Sequence, residues 1–236
     1  MRLEEDLKQL VERLSGAAGQ DLVALVLHGS AVSDEFHPQF SDVNILGVVR
    51  ELSVGTMHPL SPGLSWWTGL KYAVPLFFTA DELHSIVDVF PIEMVDIKLR
   101  HRLLYGNDVF DQLELSMELH RVQLEHEIRT KLVFLRQHYM QFSPDAAKIR
   151  HLMVDSVSNF LALFRHTLIA MGEQPPLHKA QVAQQMAEKL GFDPGPLRLL
   201  LDVRQRNLNP EALPMPQTFA AYLQAIEVVV QAVDKL

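Results

Sequence analysis

Leu27-His28-Gly29-Ser30, followed eleven residues later by Ser41-Asp42-Val43-Asn44-Ile45-Leu46, is the stretch on which the reading of this 236-residue chain turns. Upstream of it, Leu22 to Leu27 is an unbroken apolar run that stops at a Gly-Ser pair, the kind of dipeptide at which a strand gives way to a turn. Downstream, Asp42 opens a second apolar run that continues to Val49 with Asn44 as its polar interruption. The pattern predicts strands over about residues 22 to 28 and 42 to 49, with Gly29, Ser30, Asp42 and Asn44 gathered at one end. Glycine lets a ligand approach the backbone closely, and exposed turn amides with a serine hydroxyl can donate to phosphate oxygens. In an extended strand residues two apart point the same way, so Asp42 and Asn44 are expected to project together beside the turn.

The rest of the composition narrows the classes of function. With 48% apolar residues the chain can bury a large core, and two compact domains are expected. A net charge of -8 and a pI of about 5.7 give no positive field to concentrate duplex DNA or an anionic membrane. The absence of cysteine excludes disulfides, thiolate metal sites and thiol nucleophiles, and suits a reducing compartment. The acidic start, with Glu4, Glu5 and Asp6, does not read as a targeting segment, and no run reaches the roughly 20 apolar residues needed to span a bilayer. The expectation is a soluble cytoplasmic protein.

Outside the two strands, Leu3, Leu7, Leu10, Val11 and Leu14 recur at helical spacing before Gly16 and Gly19. Residues 51 to 71, punctuated by Pro59 and Pro62, read as a loop with a helical turn or two. A third strand is expected over 73 to 78, running into Thr79 and Glu82, which have the spacing of a capping box at the start of a helix. Phe90 to Ile97 fits either a further strand or an extended entry to a helix, and Tyr105-Gly106-Asn107-Asp108 reads as a closing turn. From Leu113 onward the periodicity is helical, with Ser143-Pro144 and Asp193-Pro194 as start signals and Gly172 and Gly191 as stops. The fold class is therefore α+β: a small mixed-sheet domain over 1–110 followed by an all-α helical bundle over 111–236.

The Gly29-Ser30 turn, its spacer and the Asp42-Val43-Asn44 run resemble the motif of the nucleotidyltransferase superfamily, and in particular the kanamycin and streptomycin nucleotidyltransferases, which also couple this domain to helices. The resemblance implies that Gly29 and Ser30 bind a nucleoside triphosphate, and that Asp42 and Asn44 stand where the family holds Mg²⁺ between two acids. Those ions clamp the entering and leaving oxygens of an in-line displacement. Here the second acid is Asn44, a neutral amide, and the strand over 73 to 78, where the family carries a third acid, has none; Pro75 stands near the expected place. Glu93 corresponds to the family's general base, with Asp96 in reserve. Both acids are equally suited to pairing with the basic run Lys98, Arg100 and Arg102.

The implied activity is transfer of a nucleoside monophosphate to a hydroxyl of a small-molecule or protein acceptor, with Mg²⁺ as cofactor. The alternative is a catalytically degenerate protein that binds a nucleotide or a partner. A homodimer stays open, as does the acceptor, because acceptor contacts follow no transferable code. Three other signals are weaker. Arg121 and His126 have the Arg-x4-His spacing of HEPN ribonucleases, Trp66-Trp67 fits either a ring-stacking platform or core and rim, and the scattered histidines lack the spacing of a zinc site.

Overall fold

The computed structural model describes residues 2–32 and 42–236. It divides into two compact units, Met1–Ser116 and Met117–Leu236. The division falls beyond residue 110 because Phe110 and Leu113 are buried in a core of the first unit.

In the first unit the described residues form a four-stranded sheet in the order β3-β2-β1-β4, made of β1 (Leu22–His28), β2 (Asn44–Val49), β3 (Leu76–Thr79) and β4 (His101–Gly106). β1 pairs antiparallel with β2 and β4, while β3 runs parallel to β2. Strand alternation sorts the side chains into two cores. Leu25, Leu27, Ile45 and Val49 meet Leu7, Leu10 and Leu14 of helix α1 (Arg2–Ala18) and Trp67. Ala24, Val26, Leu46 and Val48 face the other way, onto Leu83, Val87, Met94 and Ile97. Leu22 lies with the first core although it is two residues from Ala24, because the β1–β2 register shifts between them.

Several segments differ from their sequence reading for identifiable reasons. Residues 51 to 71 are largely helical: α2 (Val54–Met57), a short 3-10 turn and α3 (Ser61–Gly69). Ser53 and Thr56 form a capping box, and Pro59 and Pro62 stand at the starts of helical turns, where proline's missing N–H costs nothing. Of the two tryptophans, Trp67 is wholly buried, donates to the Ala73 carbonyl at 2.9 Å and stacks on Tyr72, whereas half-buried Trp66 carries the Arg13 guanidinium on its face.

The third strand starts later than expected, at Leu76, and its end forms the predicted cap on α4 (Ala80–Ile86): Thr79 accepts from the Glu82 amide, and Glu82 accepts from the Thr79 amide at 2.8 Å. Phe90 to Ile97 is neither strand nor extended entry but belongs to α5 (Pro91–Leu99), which proline opens and whose buried side holds Met94, Val95 and Ile97. His101 to Gly106, read as the end of a basic run and the start of a turn, is edge strand β4. Its Arg102 reaches Glu4 at 2.9 Å.

The second unit comprises α6 (Met117–Phe142), α7 (Ala146–Ala170), α8 (Lys179–Leu190), α9 (Gly195–Arg204) and α10 (Gln217–Val233). α7 is its central element, burying Met153, Val157, Phe160, Leu161 and Phe164. Asp145, rather than Ser143, caps α7 by accepting from Ala147 and Lys148. Buried Tyr222 bonds Ser156 at 2.9 Å, and Tyr139 stacks on Phe219. No described helix is long and apolar enough to cross a membrane.

Candidate functional site

β1 delivers its last residue, His28, to the edge of the sheet, and the chain then turns through Gly29–Val32. Gly29 has φ +76°, a region closed to most L-residues, and a Cβ placed on it would stand 3.1 Å from Nδ2 of Asn44. Backbone conformation and close approach thus both call for glycine, and the Asn44 amide is set against the turn. Asn44 owes that place to register: it is the first residue of β2 and the direct partner of His28. On the other side of β1, His28 is paired with His101 at the start of β4. Asn44, His28 and His101 therefore form one row across three strands, on the face that further along carries Val26 and Leu46, against which Ile97 of α5 packs.

His101 is clamped. Its Nδ1 lies 2.8 Å from the Ile97 carbonyl oxygen and its Nε2 2.8 Å from the Asp108 carboxylate, so each ring nitrogen faces an acceptor. Partial burial works against ionising Asp108, yet the Phe110 amide and the His101 ring together hold its carboxyl below the ordinary range. Burial pulls His28 below its usual value, with Asp96 opposing the shift and His101 adding to it. His28 is thus held neutral, and its buried Nε2 finds no hydrogen-bond partner among the described residues. The Ile97 carbonyl against His101 Nδ1 places that part of α5 at this end of the sheet.

No family model matches the chain, and no curated protein sequence matches it. Among solved structures, a spectinomycin adenyltransferase from Enterococcus faecialis, determined with ATP and spectinomycin, is similar with a TM-score of 0.58 at 15% identity, covering 98% of this chain and 99% of that one. The chain shares the fold of that nucleotidyltransferase.

Within that nucleotidyltransferase fold the expected site residues separate into groups. Gly29 and Asn44 are in contact range. Asp42 is exposed and precedes β2, which begins only at Asn44, so strand alternation does not fix its direction as the sequence pattern suggested. Ser30 follows Gly29 in the turn, and Ser41 lies outside the described residues. Glu93 and Asp96 are one helical turn apart on α5 rather than on opposite faces of a strand. Glu93 is exposed and Asp96 half-buried.

The third strand can now be placed by register. Leu76 partners Leu46 in the parallel pair and so lies on the face that Leu46 shares with Asn44; it is 57% exposed, and β3 carries no acid. Asp42 and Asn44, with no acid over 73 to 78, do not make the metal clamp of the resembling enzymes, since one carboxylate and one neutral amide cannot balance two divalent ions. Among the described residues no group of three or more His, Cys, Asp or Glu side chains is arranged to hold a metal. Of the row, the Asn44 amide nitrogen is the group set against the Gly29 turn. Arg121 and His126 of α6 lie elsewhere in the chain and are engaged by neighbouring carboxylates, Glu125 at 3.5 Å and Glu127 at 3.8 Å.

His28, His101 and Asp108 were not singled out in the sequence. The signal for His28 was present in its place before the Gly-Ser turn, but His101 and Asp108 acquire meaning only once β4 is known to pair with β1.

Proposed function

We propose that this chain binds a nucleoside triphosphate at the Gly29-Ser30 turn and transfers its nucleoside monophosphate, slowly, to a hydroxyl of a small-molecule or protein acceptor. The observation that carries this reading is the Asn44 amide held against Gly29, because it joins the two halves of the sequence motif into one site inside a nucleotidyltransferase fold. Asp42 is the remaining acid of that site, and its neighbour Asn44 cannot supply the charge of a second carboxylate. The base that takes the acceptor's proton is drawn from α5, Glu93 by sequence position and Asp96 by its influence on His28.

The structural neighbour's ATP and spectinomycin suggest the first substrates to try, in the presence and absence of Mg²⁺. Asp42→Ala is expected to abolish pyrophosphate release without lowering the melting temperature; turnover retained in that variant sinks the transfer reading. Comparing Glu93→Gln with Asp96→Asn then assigns the base, since the variant that loses turnover at unchanged nucleotide affinity marks the group that accepts the proton.

A second reading, a nucleotide-binding protein without transfer, is favoured by the lack of any acid over 73 to 78, the segment where the resembling enzymes carry one. Asn44→Asp combined with Leu76→Glu distinguishes the two. Faster transfer in the double variant means that the scaffold supports catalysis and the natural side chains restrain it; no transfer in either protein supports the binding reading.

A further inference from the structure

The row Asn44–His28–His101 bears on how the site meets phosphate, and the inference from it rests on the nucleotide-binding reading above. A site that uses metal presents carboxylate oxygens to the ion and lets the ion meet the phosphates. At this end of the sheet Asn44, His28 and His101 stand at one level on three adjacent strands, and with the His101 ring nitrogens engaged and the His28 Nε2 buried, the Asn44 amide is the nitrogen set against the turn. The Asn44 amide nitrogen lies toward Gly29, so that the side chain nearest the turn is an N–H donor. His28 beside it is held uncharged by burial, and His101 beyond it is fixed by the Ile97 carbonyl and the Asp108 carboxylate. Both ring nitrogens of His101 are already engaged, one by the Ile97 carbonyl and one by Asp108.

We propose that the site binds the phosphate groups of a nucleotide directly, through the Asn44 amide and the Gly29 turn, without a divalent cation. The ligand class is a nucleoside di- or triphosphate in its metal-free form. Asn44 is then a specificity-determining residue rather than a damaged metal ligand: its N–H group is complementary to an anion, and a carboxylate in its place would repel one. Asp42 does not contradict this, because it is exposed and lies outside the strand row, where water screens its charge.

The test is calorimetric titration of the full-length protein with ATP, GTP, CTP and UTP, each in excess EDTA and in excess Mg²⁺, for wild type, Asn44→Asp and Asn44→Leu. Wild type is expected to bind at least one nucleotide as tightly in EDTA as in Mg²⁺. Asn44→Leu should weaken binding about tenfold in both conditions through loss of one hydrogen bond to a charged group. Asn44→Asp should lose binding in EDTA by at least about tenfold and recover part of it in Mg²⁺.

Circular dichroism and melting temperature verify that each variant is folded; if Asn44→Asp fails to fold, the contrast between EDTA and Mg²⁺ in wild type and Asn44→Leu still decides. Wild-type binding that appears only with Mg²⁺ overturns the inference while leaving the nucleotide-binding reading intact. Absence of binding by every nucleotide in both conditions overturns both. Equal affinity of wild type and Asn44→Leu in EDTA also overturns the inference, because the amide would then take no part.

Discussion

Gly29 and His28 set what the site can tolerate residue by residue. Gly29→Ala forces an L-residue to φ +76° and brings its methyl group to 3.1 Å from Asn44. The backbone cost alone is about 1–2 kcal/mol, and urea denaturation should show a loss of at least that size together with weaker nucleotide binding. His28 makes a prediction about pH. Its folded-state value lies below the ordinary 6.5, so the unfolded chain takes up its proton first as the pH falls. The stabilising share is present above pH 6.5 and is lost as the pH drops through the folded value. His28→Leu should therefore flatten the dependence of melting temperature on pH below neutrality, while an unchanged slope would mean that His28 is not buried as described. Asp108 is depressed as well, so it adds a loss in the same direction, within the carboxylate range below 3.8.

At the scale of elements, the sheet depends on local signals of very different visibility. The Thr79–Glu82 capping box could be read directly from its spacing and is present in the structure; Thr79→Ala should cost about 1 kcal/mol in chemical denaturation, with the change confined to α4. β1 was legible because it is apolar on both faces, and burial on both faces is what two helical layers impose on a central strand. β4 was not legible. It is an edge strand with Arg102 and Leu103 exposed, and nothing in its alternation separates it from a solvated helix face.

Its end is nevertheless demanding, for a Cβ on Gly106 would lie 1.9 Å from the Val23 carbonyl oxygen. Gly106→Ala should displace β4 from β1 and cost on the order of 3 kcal/mol, measurable as a shift of the urea midpoint. Phe90 to Ile97, read as a further strand or an extended entry to a helix, is instead largely helical, with Pro91 at the first turn where proline starts a helix. The site suffered accordingly. Gly29 and Asn44 could be found because they flank readable strands, while His101 and Asp108 depended on β4, and the direction of Asp42 depended on where β2 begins.

Across the whole molecule, the sheet-bearing unit holds the candidate site residues, and the helical unit has its own core built on α7. A ligand that binds only the folded state must raise stability by mass action, by about 2.7 kcal/mol at a concentration one hundred times its dissociation constant. A nucleotide that binds at the Gly29 turn should therefore raise the melting temperature of wild type and do so less in Gly29→Ala. The central claim, that this turn and the start of β2 are where the nucleotide sits, is tested most directly by amide hydrogen exchange at saturating ATP. The account predicts slowed exchange over residues 27–32 and 42–46. Unchanged exchange in both segments under conditions where calorimetry shows ATP to be bound would contradict it.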